Sequence, residues 1–205
     1  MLTALFHGII LAFGLILPLG AQNVFIFNQG ALQPNFKRAI PMIITASLCD
    51  TLLILLAVLG VSVIVFTIPV LQTLLFSIGL LFLLYMGWTI WKSNPGNISR
   101  ETAALSPRKQ IMFATSVSLL NPHAILDTIG VIGTSSLSYT GAERALFTLS
   151  CIVISWIWFF CLAIAGRTVG NIDKSGKFLA LLNKISAIII WSVAAYIAVK
   201  LYQLF

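Results

Sequence analysis

Two aspartates, Asp50 and Asp127, stand inside stretches that are otherwise apolar and free of charge, in a chain with only five acidic residues. A charged group at the centre of a membrane helix costs roughly 2.5 to 3.5 kcal/mol on insertion scales. Two of them mark places where the buried part of the molecule handles charge. No Lys or Arg shares an apolar stretch with either. Each carboxylate therefore keeps its proton, pairs across helices or meets a cationic ligand. Such a group serves as a proton-coupling site or as a cation ligand.

Two interruptions accompany the acids. They are Pro18-Leu19-Gly20-Ala21-Gln22-Asn23 and Asn121-Pro122-His123, the second five residues before Asp127. A proline within a helix removes one hydrogen bond and frees a carbonyl in the preceding turn. In hydrocarbon such backbone survives only when buried in protein or lining a cavity. Gln22, Asn23 and Asn121 supply donors and acceptors there, for the freed backbone or for a ligand. A half-helix starting after Pro122 aims its amide hydrogens at an anion such as a carboxylate. His123 either titrates near neutral pH or caps freed carbonyls as a neutral imidazole.

The elements that position these residues are read from hydropathy. Sixty per cent of the 205 residues are hydrophobic and 8% are charged, against about 25% charged in a soluble domain; mean hydropathy is +1.06. The fold class is an all-α integral membrane protein, with the lipid bilayer as its first partner. The net charge of +7 does not imply nucleic acid, because the basic residues sit in short gaps between apolar runs. Cys49, Cys151 and Cys161 all fall in apolar runs without CxxC or metal-ligand spacing, and are expected to be buried thiols acting as small hydrophobes. The N-terminus lacks a basic n-region, so a cleaved signal peptide is not expected.

A span needs about 20 apolar residues, and six are expected. The first covers about 2–27 and breaks at 18–23; the second, about 40–66, contains Asp50 about ten residues in, ~15 Å along the axis. The third, 70–91, ends in Tyr85, Trp88 and Trp91. The fourth, about 110–135, breaks at Asn121-Pro122-His123. The fifth, 145–166, is rich in Trp and Phe, and the sixth covers about 178–201, with Lys184 and Lys200 near its ends. All six belong to a single transmembrane domain, 1–205. A polar loop, 93–107, divides it into pseudo-repeats of about 1–92 and 108–205. Pro18 and Pro122 are 104 residues apart, as are Asn23 and Asp127. Three spans per half invert one half relative to the other, giving two three-helix inverted repeats with broken helices one and four. The gaps between spans 1–2, 3–4 and 5–6 hold nearly all the Lys and Arg. The positive-inside rule then places them in the cytoplasm and both termini outside.

No Gly-x-Ser-x-Gly elbow and no HExxH occur, so no catalytic set, metal or cofactor is expected and the chain is not read as an enzyme. An intramembrane hydrolase built on His123 and Asp127 is the rival from another class. Gly8, Gly14 and Gly20, with Ala194 and Ala198, mark close helix packing, either within the chain or in a homo-oligomer.

At these residues the chain resembles the lysine exporter (LysE) family, particularly its arginine and lysine exporter branch. The matching pieces are Pro18-Leu19-Gly20-Ala21-Gln22-Asn23, Asn28-Gln29-Gly30, Asp50 within its span, and Leu120-Asn121-Pro122-His123-Ala124-Ile125-Leu126-Asp127-Thr128 followed by Gly133. The likeness covers essentially the whole chain. Ala21 stands where the family often has Pro, and the paired Arg that often follows Gln-Gly is replaced by the later Lys37 and Arg38. The resemblance implies secondary active export of amino acids, cationic ones such as L-lysine and L-arginine first, across the bacterial cytoplasmic membrane. It also implies that the acids of spans two and four serve that transport. Neutral amino acids or metal cations are the alternative cargo on the same fold.

Overall fold

The computed structural model describes residues 1–17, 20–60, 69–92, 104–173 and 177–202. Among these residues every regular element is helical. Helix α1 (Leu2–Ile16) and helix α2 (Ala21–Leu32) bend by 78° across the first interruption. Pro18 itself lies outside the described residues. A 3-10 turn (Phe36–Ala39) leads into α3 (Ile40–Val58), which carries Asp50 unbroken through its centre. Helix α4 (Pro69–Lys92) ends the first half. The second half starts with α5 (Pro107–Leu119), which stops at the second interruption. Helix α6 (Pro122–Asp127) then runs into a π-helical segment (Thr128–Gly133) and a last turn (Thr134–Ser136). Helix α7 (Gly141–Ile172) and helix α8 (Lys177–Tyr202) complete the chain.

Phe36–Val58 and Gly141–Ile172 are each long and apolar enough to cross a membrane, and the bent α1–α2 pair passes the same test only when taken as one broken span rather than as a re-entrant loop. Shorter apolar stretches, Phe76–Lys92 and Asn183–Val199, lie within α4 and α8. The chain is a membrane protein. The continuous helix of the second span runs to Val58, and the part of the hydropathy reading that carries the span on to 66 lies outside the described residues. Gly60 adopts a left-handed φ of 76° and its amide donates to the Ala57 carbonyl at 3.1 Å. That conformation is open to glycine without a Cβ penalty, and α3 stops there. Helix α7 is the opposite case: its 32 residues reach ~48 Å at 1.5 Å per residue, beyond the bilayer core of about 30 Å.

Helix α7 organises the packing. Both α1 and α2 lie against it, α3 packs on it from another side, α5 and the π segment pack on α3, and α4 pairs with α8. Small residues let the backbones approach. A Cβ on Gly166 would stand 2.1 Å from the Phe27 carbonyl, one on Gly30 2.3 Å from that of Ala163, and one on Gly8 2.1 Å from Ser150 Oγ. Gly14 and Gly20 have nothing within 4 Å, so of the glycines singled out in the sequence only Gly8 serves a close contact; Ala194 is fully buried. Cys49 and Cys151 are buried as expected, but Cys161 is exposed, because it lies on the outward face of α7.

Polar contacts tie the ends of the bundle. At one end the Met1 ammonium pairs with Glu143, and Arg144 donates to the Val58 carbonyl. His7 Nδ1 meets the Tyr139 hydroxyl at 2.9 Å, with the Phe147 ring beside both. At the other end, Arg167 Nη1 reaches the Gln33 and Pro34 carbonyls at 3.5 Å. Gln110 Nε2 donates to Arg38 O at 3.0 Å and to Leu105 O at 2.8 Å, and Gln33 Nε2 to Leu105 O at 2.9 Å. Arg38, Gln110 and Arg167, which border the basic gaps between spans 1–2, 3–4 and 5–6, thus gather at one end.

Candidate functional site

Between those ends, two apolar clusters meet a polar layer. One contains Phe25, Ile26, Met42, Ile43, Val117 and Phe159, among others. The other contains Ala12, Ile54, Val58, Ile132 and Phe147. On α3 the change from the first cluster to the second falls between Ala46 and Ile54, and Asp50 sits there. A cavity of about 470 Å³ opens at this level, within the 300–1,000 Å³ range of small-molecule sites.

Gly20, Gln22, Asn23, Asp50, Asn121 and Asp127 all line this cavity. Helix α2 begins at its wall. Gly20 is the N-cap with extended backbone (φ −81°, ψ 174°) and offers no side-chain cap. The first amides of α2 therefore lack intrahelical partners and carry the positive end of the helix dipole. Gln22 adds a donor, since its Nε2 is buried without a hydrogen-bond partner among the described residues. A buried amide left unpaired costs about 1 to 3 kcal/mol, so a ligand that accepts from it is favoured.

Asn23 has a different role from a pure ligand. Its Nδ2 donates to the Ile16 carbonyl at 2.6 Å, a carbonyl freed by the break, and its Oδ1 accepts from Trp158 Nε1 at 3.3 Å. The side chain braces the junction of α1 and α2 against α7. The second break is braced differently. Asn121 O accepts the Ile125 amide at 3.2 Å, Thr128 Oγ1 donates to Ala124 O at 2.7 Å, and a π-helical register follows at once. Such π turns are rare and cluster at functional sites. Pro122 opens α6, but its side chain and that of His123 lie outside the described residues.

Sequence reading missed the contribution of α7. Ser155 is buried and lines the cavity together with Asp50; Cys151 lines the same wall. Thr128 and Phe159 also line it, and the rest, with Leu15, Leu83, Ile190 and Val193, is aliphatic. The signal that could have found Ser155 is its place as a polar residue beside Trp156 in the apolar run Cys151 to Ala163.

The model of the LysE type translocator family matches residues 13–201. The chain belongs to that family. Bacillus subtilis (strain 168) YisU, whose name proposes an amino-acid transporter, is 59% identical over 98% of this chain and 91% of its own length. The arginine exporter protein ArgO of Enterobacter sp. (strain 638) is 32% identical, covering 97% of this chain and 94% of the relative. ArgO of Serratia proteamaculans (strain 568) is 31% identical over 97% of both. No solved structure matches. As a translocator, the molecule needs a site away from both surfaces that holds cargo without changing it. The cavity between the two apolar clusters has that position, with donors at the start of α2 and carboxylates on α3 and α6.

Proposed function

We propose that this translocator exports cationic amino acids, L-arginine and L-lysine, across the bacterial cytoplasmic membrane by secondary active transport. The observation that carries the reading is the convergence of Asp50, Asp127 and the uncapped start of α2 on one cavity. The α2 amides and Gln22 Nε2 take the cargo carboxylate, while the two aspartates face its positive groups. The names of the ArgO relatives agree with arginine as cargo. Outward movement of a cation opposes a negative interior by about 2.3 kcal/mol per charge per 100 mV, so an exchange with an entering proton removes that cost. Two carboxylates in one cavity let proton and cation alternate.

Alternating access needs two halves that rock against each other, and the packing supports an inverted repeat. Exchanging the halves turns the pairing of α1 and α2 with α7 into that of the second broken helix with α3, and leaves α4 with α8. These pairings are what supports the repeat. We place the basic end in the cytoplasm, which puts Met1, Glu143 and Tyr139 outside.

The deciding experiment is arginine counterflow in proteoliposomes, together with resistance to toxic arginine and lysine analogues in cells with and without the gene. Cationic cargo is expected to exchange and neutral cargo of equal size to exchange poorly; equal rates for both would shift the reading to neutral amino acids. For orientation, single cysteines at Glu143 and Lys37, in a chain whose three native cysteines are replaced by alanine, should react with an impermeant thiol reagent from outside and from the cytoplasm respectively. The reverse pattern would invert the topology.

A further inference from the structure

Helices α3 and α7 enclose a second space outside the cargo cavity. Ile54 and Cys151 line the cavity, whereas their chain neighbours Leu55 and Ile152 line a separate groove of about 420 Å³. Leu59 and Leu149 extend its apolar wall, and Arg144 is the one charged residue among the described residues that line it. Leu55, Leu59 and Leu149 are exposed, so the groove opens outward from the bundle, where a membrane protein meets acyl chains.

Arg144 brings positive charge to this groove. Its Nη2 donates to the Val58 carbonyl at the end of α3, but its Nε is buried with no hydrogen-bond partner. A buried donor left unpaired is costly, and more so on a charged group. Among the described residues no carboxylate pairs with the guanidinium, because Glu143 beside it pairs with the Met1 ammonium. The start of α7 adds to the same charge. Thr140 is its N-cap and makes no side-chain cap bond, and Gly141 lines the groove. The first amides of a helix lack intrahelical partners and attract phosphate. The apolar run of α7 begins at Ala145, so the guanidinium sits where hydrocarbon gives way to head groups.

We propose that the groove binds an anionic phospholipid, its phosphate held by Arg144 Nε and the first amides of α7, with an acyl chain along Leu55, Leu149 and Ile152. Charge and shape choose this occupant. A phosphate accepts from both sets of donors, for which the planar guanidinium fork is suited, and a long chain matches the aliphatic wall. A zwitterionic lipid fits less well. Its ammonium meets the same positive charge, and the carboxylate of Glu143 is already paired. The bound lipid bridges the end of α3 to the start of α7, two helices that also line the cargo cavity. Such a site is independent of what the translocator carries.

For the test, the purified full chain is reconstituted in phosphatidylcholine vesicles with a trace of phosphatidylglycerol carrying a photoreactive group in its acyl chain. Crosslinks are mapped to residues by mass spectrometry and divided by those from the same trace of photoreactive phosphatidylcholine. The ratio at Leu149 and Ile152 is expected to exceed that at Ile157, an exposed residue farther along α7, by about tenfold, as a charge-assisted bond implies. Arg144→Gln should bring the groove to within about twofold of Ile157, since glutamine keeps a donor but no charge. Ala145→Phe should do the same, because it keeps Arg144 and places a ring in the groove that Ala145 lines. That second variant decides the matter if Arg144→Gln does not fold. Equal ratios at the groove and at Ile157 in the wild type, or a preference that survives in a folded variant, overturn the proposal. Loss of the wild-type preference on adding excess water-soluble glycerol phosphate would make the groove a site for a free anion, and would overturn it too.

Discussion

Replacing Asp127 by Asn is expected to lower export of a cationic amino acid by about two orders of magnitude, and Asp50→Asn to do nearly the same. The substitution keeps shape and removes charge. Two unit charges 4 Å apart interact by about 4 kcal/mol at an effective dielectric of 20. Discounting part of that for water in a cavity of about 470 Å³ leaves ~3 kcal/mol, or roughly 100-fold. Radiolabelled arginine efflux, measured at wild-type expression, checks the figure. A neutral isostere should lose no more than a few-fold, because it never relied on the countercharge. Both variants exporting arginine normally would sink the electrostatic role.

Misfolding would not account for such a loss. Each aspartate costs roughly 2.5 to 3.5 kcal/mol at the centre of a membrane helix, and Asn removes the ionised form. Thermal stability of the purified variants should therefore equal or exceed that of the wild type, as is usual where a site gives up stability for activity. The double variant adds a further check. Both carboxylates line one cavity, so their losses should combine less than additively; a full multiplication of the two effects would argue for separate sites.

How far the site could be read from residues alone follows from what hydropathy and spacing report. The breaks were legible because proline, glycine and amides in an apolar run have few explanations. Gly20, Gln22, Asn23, Asn121 and Asp127 were placed together for that reason, and all line the cavity. Asp50 looked like a lone carboxylate on an unbroken helix. It is on an unbroken helix, but the packing of α3 against α7 and the π segment turns it toward the same cavity. That convergence is a tertiary fact with no local signature. Asn23 was legible as a donor to backbone freed by the break, but its bond to Trp158, 135 residues away, was not. The π register after Asp127 escaped because a single-residue change in helical pitch barely alters hydrophobic periodicity. The turn at Gly60 escaped because its left-handed φ of 76° leaves no mark on hydropathy.

Gly166 carries the other large expected effect, on the fold itself. Helices α2 and α7 meet along Gly30, Gly166 and Gly170, each facing backbone of the other helix. A Cβ at Gly166 would lie 2.1 Å from the Phe27 carbonyl oxygen and 2.9 Å from its carbonyl carbon. Backbone cannot swing aside as a long side chain can, so the two helices must separate. In a membrane, where close van der Waals contact between small residues drives helix association, that separation is costly. Overpacking of this kind usually costs about 1 to 3 kcal/mol, and Gly166→Leu should lie at or beyond the upper end. On the scale of soluble domains that is about 2 to 4 °C per kcal/mol, so a fall in Tm of about 6 to 12 °C is expected in detergent. Gly14→Ala is the control. Nothing lies within 4 Å of its Cβ position, and exchanging a mid-helix glycine for alanine stabilises by about 0.5 to 1 kcal/mol. The lesion should also reach the cavity. Spreading α2 from α7 lengthens the Trp158–Asn23 hydrogen bond, already 3.3 Å, and releases the brace on the first break. Gly166→Ala, the mildest version, should therefore lose export out of proportion to its loss of stability. Equal, small losses in both would mean that α2 and α7 can part without disturbing the site.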